Sequence, residues 1–223
     1  MNVTILGAGA WGTAVAIHAA KHSSHSADKK SVVTLWARDA DQAAQMKLSR
    51  RNNRYLSGID FPAELIIEED FDRALSTVQS NDDLLIIATP LSGLAMTSKR
   101  LLESSTTPKN WVWLCKGIEP ESSALPHEII EREINGHDKS SLISIGALSG
   151  PSFAIEVAKG LPCALTVASK SPEICKLTQD FLHHGSMRIY ATDDLVGVEL
   201  GGAVKNVLAI ATGIIDGMGL GLN

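Results

Sequence analysis

One lysine lies inside the last apolar stretch of the chain, where a charged side chain is rare. Between Leu200 and Ile215 the sequence reads LGGAVKNVLAIATGII, and Lys205 is its one charged residue. Apolar residues recur there at steps of three and four, which predicts a helix buried on most sides. Burial lowers the pKa of a lysine from about 10.4 toward neutrality, a range that suits a general acid or base. Lys205 is therefore our candidate for proton transfer, although its stem could also pack in the helix while its ammonium reaches water.

A glycine motif near the start of the chain is suited to binding phosphate. Gly7, Gly9 and Gly12 form GxGxxG between an apolar run, Val3 to Leu6, and a helical pattern, Thr13 to Lys21. The first glycine permits a tight turn, the second lets a pyrophosphate approach the backbone, and the third lets helix and strand pack closely. The helix N-terminus adds free N–H groups and a partial positive charge. The motif predicts dinucleotide binding rather than a plain glycine turn.

The residues after the second apolar run bear on the choice of cofactor. Val32 to Trp36 reads as a strand, and Arg38 and Asp39 follow its end. An acidic residue here bonds the ribose of NAD, whereas an arginine pairs with the 2′-phosphate of NADP. Arg38 favours NADP and Asp39 keeps NAD open, while a solvated strand end is the alternative to both.

Two further positions follow predicted strands at their carboxyl ends. Pro90 comes after Leu84 to Ala88, and Lys116 comes directly after Trp111 to Cys115. Loops at these ends line the ligand crevice of an open parallel sheet, so we expect both residues on the ligand side. By itself, a lysine after a strand is more often a surface residue.

A short helix with an anion-binding end is predicted after the next strand. Leu142 to Ala147 is the strand candidate, and Pro151 and Gly160 suit the start and the end of a helix. We therefore expect a helix over Ser152 to Lys159, with its N-terminus available to an anion.

Composition excludes several classes of partner. The net charge is −5 and no basic block occurs, so we expect no binding to nucleic acid or to an anionic membrane surface. No stretch reaches the roughly 18 uninterrupted apolar residues of a membrane span. Met1 is followed at once by an apolar run, so we expect no signal peptide.

The cysteines and histidines point to neither disulfides nor a metal. The chain has three cysteines, far apart and without CxxC spacing, which predicts reduced thiols in a cytoplasmic protein. Its seven histidines show no metal-ligand spacing, and we expect no metal site.

Strand and helix patterns alternate as far as Ala191, which predicts an α/β domain with a doubly wound, mostly parallel, Rossmann-type sheet over residues 1–191. Residues 192–223 read as the start of an all-helical second domain whose remainder is absent.

His22 to Ser31 is predicted to be an exposed loop. The basic, turn-rich connection Arg50 to Gly58 is either a surface loop or a flap over the adenine end of a nucleotide.

Three segments, taken together, resemble those of one protein family. They are GAGAWGTAVA (residues 7–16), SGPSFAIEVAKGLP (149–162) and GGAVKNVLAIATG (201–213), with WARD, NRYLSGIDFP and CKGIEP in support. The family is the NAD(P)-dependent glycerol-3-phosphate dehydrogenases of the bacterial type. GxGxxG is shared widely, but the second and third segments in combination are specific, and the resemblance covers the whole chain.

The resemblance implies roles for particular residues. Lys205 would be the proton donor and acceptor, and Lys116 would contact both substrate and cofactor. Gly150 and Ser152 would bind the glycerol phosphate. Further cofactor contacts are implied at Ala10, Trp11, Arg38, Tyr55 and Ala154. They add to the glycines of the motif and to Pro90, which are also expected to contact the cofactor.

The resemblance also implies an activity: interconversion of sn-glycerol 3-phosphate and dihydroxyacetone phosphate with NADP or NAD, NADPH being preferred, in a cytoplasmic homodimer that feeds glycerophospholipid synthesis. Family members continue beyond the position of Asn223 with a helical domain that completes the substrate site, so we expect this chain to be weakly active or inactive. Two other functions stay open: a dehydrogenase of the same plan acting on a hydroxy acid, and a non-catalytic nucleotide-sensing module.

Overall fold

A computed structural model describes residues 1–23 and 31–219 of the chain. The strands are β1 (Val3–Leu6), β2 (Val33–Trp36), β3 (Arg51–Asn52), β4 (Leu56–Asp60), β5 (Leu65–Glu68), β6 (Leu84–Ile87), β7 (Asn110–Trp113), β8 (Ser144–Ser149), β9 (Cys163–Ala168) and β10 (Met187–Thr192). The helices are α1 (Ala10–Ser23), α2 (Ala40–Ser49), α3 (Phe71–Leu75), α4 (Leu94–Glu103), α5 (Pro126–Ile134), α6 (Ala154–Lys159), α7 (Pro172–Leu182) and α8 (Leu195–Gly217).

Eight of these strands form one sheet, in the order β10-β9-β8-β7-β6-β1-β2-β5. Neighbouring strands are parallel throughout, except that β8 and β9 run antiparallel. This confirms the predicted Rossmann-type, doubly wound, mostly parallel sheet. Helix α8 follows the last strand, as predicted for the first helix of an all-helical domain.

The central strands are buried on both faces, so their successive side chains enter two different apolar cores. Ile5 and Ile86 belong to the core that α1, α2, α6 and α7 cover. Leu6 and Ile87 belong to the core that α3, α4 and α5 cover. This two-sided burial explains why the strands read in the sequence as continuous apolar runs.

The basic connection after α2 is more ordered than a loop. Arg50 ends α2 in the left-handed conformation, with φ of 53°, and its N–H bonds to the carbonyl of Met46. Strands β3 and β4 then pair antiparallel as a short hairpin. Part of the segment is therefore strand, and this places Asn52 in a buried position beside the glycine motif.

Helix α6 begins later than predicted. Phe153 is its N-cap in an extended conformation, so the helix starts at Ala154 and leaves Ser152 in the preceding loop. With six residues, the helix is shorter than the sequence pattern indicates.

Helix α8 is longer and far more exposed than predicted. Leu195 and Glu199, near its start, are buried against the sheet domain, whereas Val207 is 66% and Ile214 is 57% exposed. The prediction of burial on most sides is thus wrong for this chain, in which residues 207–217 of α8 are all exposed. By length and composition alone α8 is sufficient to cross a membrane, a test that the core helix of a soluble protein also passes.

Two predicted stretches extend outside the described residues: most of the loop between His22 and Ser31, and the last four residues of the segment 192–223.

Candidate functional site

A crevice of about 890 Å³ opens at the carboxyl ends of the central strands. Its walls contain all of the predicted cofactor residues except Ala154. Those residues are Gly7, Gly9, Ala10, Trp11, Gly12, Arg38, Tyr55, Pro90 and Lys116. The residues that sequence reasoning assigned to the cofactor therefore lie together in one open site, where parallel α/β sheets bind ligands.

The three glycines of the motif differ in what surrounds them. Gly7 has φ of 122°, and a Cβ there would lie 2.8 Å from the carbonyl oxygen of Ala88. A Cβ on Gly12 would lie 2.0 Å from the carbonyl oxygen of Gly7, an impossible contact. A Cβ on Gly9 would meet no protein atom within 4 Å. Gly7 and Gly12 are thus required for close packing, while Gly9 leaves open space on the crevice side, as a pyrophosphate needs.

Two amide side chains that sequence reasoning missed hold the backbone of this loop. Nδ2 of Asn52 donates to the carbonyl oxygen of Ala8 at 2.9 Å and to Oγ1 of Thr13 at 2.8 Å. Nε2 of Gln42 donates to the same Ala8 oxygen at 2.8 Å. Asn52 is only 1% exposed. Nothing in its basic, turn-rich surroundings in the sequence distinguishes it from a surface asparagine.

Arg38 and Asp39 have different hydrogen-bonding states at the end of β2. Oδ1 of Asp39 accepts from the backbone N of Gln42 at 3.1 Å, which caps α2, and Oδ2 pairs with Nη1 of Arg54 at 3.3 Å. The backbone hydrogen bond from Gln42, aided by Arg54, lowers the pKa of Asp39. Arg38 is exposed and bonds to no other residue in the described part of the chain. The Asp39 carboxylate therefore already accepts hydrogen bonds from the protein, whereas the Arg38 guanidinium can still bind a ligand.

A second guanidinium that can still bind a ligand, that of Arg100, lines the same end of the crevice. Unlike Arg38, it was not predicted from the sequence. Arg100 lies 3.9 Å from the ring centroid of Phe71 and 5.6 Å from that of Trp36. Such stacking leaves the N–H donors at its edge free. The β2 end of the crevice is consequently electropositive.

Lys116 joins the crevice to a second group of predicted residues around α8. Its Nζ donates to the carbonyl oxygen of Gly150 at 2.9 Å. The Nζ of the half-buried Lys205 lies 5.5 Å from the ring centroid of Phe153. Burial, followed by the positive charge of Lys205, lowers the pKa of Lys116.

The other predicted substrate residues lie in the loop between β8 and α6, outside the crevice walls. A Cβ on Gly150 would lie 2.8 Å from the carbonyl oxygen of Ala164, so this glycine permits the close approach of β9. Ser152 is half-buried, and its hydroxyl makes no hydrogen bond to the residues that the structure describes. Ala154 is the first residue of α6.

Helix α8 approaches Lys116 closely at one glycine. A Cβ on Gly202 would lie 2.8 Å from Oγ of Ser149 and 3.4 Å from Cγ of Lys116. The sequence shows Gly202 only as part of an apolar helix. Its packing role becomes visible only when β8 and α8 are seen together.

Cys115, next to Lys116, is unsuited to nucleophilic chemistry. Burial, followed by the negative charge of Glu199, raises the pKa of its thiol to about 12. The thiolate is the reactive form, so this cysteine is inert near neutral pH. Among residues 1–23 and 31–219, no group of three or more histidine, cysteine or acidic side chains is arranged to hold a metal.

Two family models match the chain. Residues 2–175 match the model described as the N-terminus of NAD-dependent glycerol-3-phosphate dehydrogenase. Residues 194–223 match the model described as the C-terminus of the same enzyme.

Curated relatives are longer than this chain. It is 54% identical over 223 residues to glycerol-3-phosphate dehydrogenase, NAD(P)+, of Polynucleobacter asymbioticus, covering 100% of this chain and 64% of the relative. The enzyme of the same name from Ralstonia nicotianae is 53% identical, with 100% of this chain and 63% of the relative covered. The chain thus spans less than two thirds of their length.

Solved structures share the fold. Glycerol-3-phosphate dehydrogenase from Coxiella burnetii superposes with a TM-score of 0.83 at 35% identity, over 99% of this chain and 62% of that one. The yeast glycerol-3-phosphate dehydrogenase has a TM-score of 0.82 at 24% identity, over 100% of this chain and 65% of that one, a likeness that bears on fold alone.

Proposed function

Because the chain belongs to the NAD-dependent glycerol-3-phosphate dehydrogenase family, we propose that the protein interconverts sn-glycerol 3-phosphate and dihydroxyacetone phosphate with NAD(P). One observation carries the proposal: Lys116 lines the crevice, and its stem packs beside Gly202 of α8, the helix that carries Lys205. In the reducing direction the product is a precursor for glycerophospholipid synthesis.

The crevice fits a dinucleotide in three respects. The space beside Gly9 admits a pyrophosphate, and the N-terminus of α1 faces it with unpaired N–H groups and a partial positive charge. The available guanidinium of Arg38 suits a phosphate at the adenosine end. When bound there, the nicotinamide cofactor supplies the hydride for the ketone carbon.

The remaining chemistry belongs to side chains of this protein. We assign to Lys205 the proton that the ketone oxygen takes up during reduction, and its ammonium donates to no carboxylate in the described chain. Lys116, a second cation nearby, stabilises the negative charge that develops on that oxygen. Gly150 and Ser152 are proposed to bind the substrate phosphate, and Ala154 to lie against the nicotinamide.

NADPH is the proposed preferred cofactor. Both carboxylate oxygens of Asp39 already accept hydrogen bonds, which leaves this residue poorly placed to accept one from a ribose hydroxyl. Arg38 is exposed and pairs with none of the residues that the structure describes, and a guanidinium binds a phosphate through charge-assisted bonds.

Arg38→Ala is expected to weaken NADPH binding roughly 10- to 100-fold, because a charge-assisted hydrogen bond contributes roughly 1.5–3 kcal/mol. NADH, without the 2′-phosphate, should lose little affinity. Titration of cofactor fluorescence with this chain measures both. Arg51→Ala is the matched control, since Arg51 is exposed, pairs with Asp60 and lies outside the crevice walls. Equal losses for the two cofactors would assign Arg38 to folding or to the pyrophosphate.

The activity is tested in the full-length protein, in which this chain is extended to the length of its relatives. Reduction of dihydroxyacetone phosphate is compared with reduction of small keto acids, with NADPH and NADH in parallel. Turnover of keto acids alone would favour the hydroxy-acid dehydrogenase. Tight cofactor binding without any turnover would favour the sensing module.

The exposed face of α8 bears on assembly. Val207, Leu208 and Ile214 are each more than half exposed, and a contiguous apolar face of this kind favours association. We propose that the protein is a homodimer and that this chain alone also self-associates, through α8.

Sedimentation of this chain is accordingly expected to give more than the monomer mass, and Leu208→Glu should shift it toward the monomer because a charge disfavours the apolar contact. Leu48→Glu is the control, because Leu48 on α2 is 90% exposed and remote from α8. A wild-type chain that sediments as a monomer would contradict the prediction.

We also propose a cytoplasmic location and a domain division at residues 1–191 and 192–223. The three thiols are unpaired, as in a reducing compartment. The two family matches, which fall on either side of residues 176–193, support the division. They also favour α8 as a domain helix rather than a membrane span, and the net charge of −5 disfavours nucleic acid.

A further inference from the structure

The carboxylate of Glu199 forms the most extensively bonded buried contact between α8 and the sheet domain. Its side chain is 2% exposed. Oε1 accepts from Nε1 of Trp113 at 3.0 Å and from the backbone N of His127 at 2.9 Å, and Oε2 contacts Nδ1 of His127. We call these three residues the Glu199 cluster.

The Glu199 cluster joins the lysine helix to the strand that positions the other lysine. Trp113 is the last residue of β7, three residues before Lys116, and His127 lies in the first turn of α5. A buried carboxylate is costly unless its oxygens are hydrogen-bonded, and here both are. Burial raises the pKa of Glu199, while the bonds from His127 oppose that rise.

The other contacts of α8 with the sheet domain lie near the start of the helix, where Leu195 is buried and Val198 packs against the same apolar core. Gly202, one turn after Glu199, packs against Ser149 and the stem of Lys116. From Val207 onward the described helix is exposed. The position of α8 over the sheet is therefore determined between Leu195 and Gly202, just before Lys205, and Glu199 supplies the side-chain hydrogen bonds of that segment.

We propose that Glu199 is a positioning residue for the dehydrogenase reaction. It holds α8 so that the ammonium of Lys205 lies beside Lys116 and the crevice, and it acts through the helix without touching the substrate. This inference rests on the proposed function.

The test compares two substitutions in the full-length protein. Glu199→Ala removes all three bonds and leaves the donors of Trp113 and His127 unpaired, so α8 shifts. A misplacement of about 1 Å can cost up to about 100-fold, and we expect kcat to fall about 10- to 100-fold while the NADPH dissociation constant changes less than about twofold. Glu199→Gln keeps an acceptor for both N–H donors and should recover most of kcat.

Asp83→Ala is the control for a loss of stability alone. Asp83 is 4% exposed and accepts from the backbone N of Asn2 at 2.6 Å and of Ser80 at 2.9 Å. It directly precedes β6 and so lies at the amino ends of the parallel strands, whereas the crevice lies at their carboxyl ends. Its substitution should lower Tm as Glu199→Ala does, yet leave kcat unchanged below the unfolding transition.

If Glu199→Ala does not fold, His127→Ala provides the second variant, because it removes the ring contact while keeping the backbone donor. It should lower kcat about 3- to 10-fold and speed amide hydrogen exchange in α8. Unchanged kcat in Glu199→Ala or, if that variant does not fold, in His127→Ala would overturn the positioning role alone, as would parallel losses of kcat and NADPH affinity. A wild-type protein without turnover of dihydroxyacetone phosphate would overturn the proposed function and this inference together.

Discussion

Lys205→Met in the full-length protein is expected to abolish measurable turnover while cofactor binding survives. Methionine keeps an apolar stem of similar length and removes the ammonium, and loss of a general acid typically costs about 10²–10⁴-fold in rate. Loss of electrostatic stabilisation at the developing oxyanion adds to this. NADPH affinity should persist, because Lys205 is not among the crevice walls. Steady-state kinetics and fluorescence titration on one preparation measure both quantities.

Lys159→Met is the matched control, since Lys159 is exposed at the end of α6 and takes no part in the proposed chemistry. It should behave as wild type. If the Lys205 variant kept more than roughly a tenth of the activity, Lys205 would be a packing residue and the assigned proton transfer would be wrong.

Two alanine substitutions in the glycine motif should abolish cofactor binding for different reasons. Gly12→Ala forces a Cβ to 2.0 Å from the carbonyl oxygen of Gly7, so the turn must open and Tm should fall. Gly9→Ala meets no protein atom and should leave Tm unchanged, but its methyl group occupies the space for the pyrophosphate. Loss of two or three phosphate bonds of roughly 1.5–3 kcal/mol each weakens binding at least about 100-fold.

Thermal unfolding and NADPH titration of this chain separate the two effects. Gly213→Ala serves as the control, because a Cβ there meets nothing within 4 Å and the residue lies on α8, away from the crevice. A Gly9→Ala variant that binds NADPH as wild type does would show that the phosphates take another path through the crevice.

Much of the sheet domain could be predicted because its physics is local. Parallel strands buried on both faces appear as short apolar runs, and β1 has the predicted bounds, Val3 to Leu6. The position of the cofactor crevice could also be predicted, because GxGxxG needs glycine for steric reasons. The structure shows these reasons at Gly7 and Gly12.

The interactions that the sequence did not reveal are made between distant segments. Asn52 reaches Ala8, and Glu199 reaches Trp113 and His127, across separations that no sequence spacing encodes. The extent to which α8 is exposed was not predicted, because an apolar pattern indicates which face of a helix prefers burial, while the partner that covers that face is a property of tertiary structure.

The two side-chain hydrogen bonds to the carbonyl oxygen of Ala8 determine the orientation of the peptide plane between Ala8 and Gly9. In a trans peptide the C=O and the following N–H point in opposite directions. Because Asn52 and Gln42 draw the Ala8 oxygen inward, the N–H of Gly9 must point outward into the crevice. A phosphate therefore meets a donor dipole already oriented before binding, and no peptide flip has to precede association.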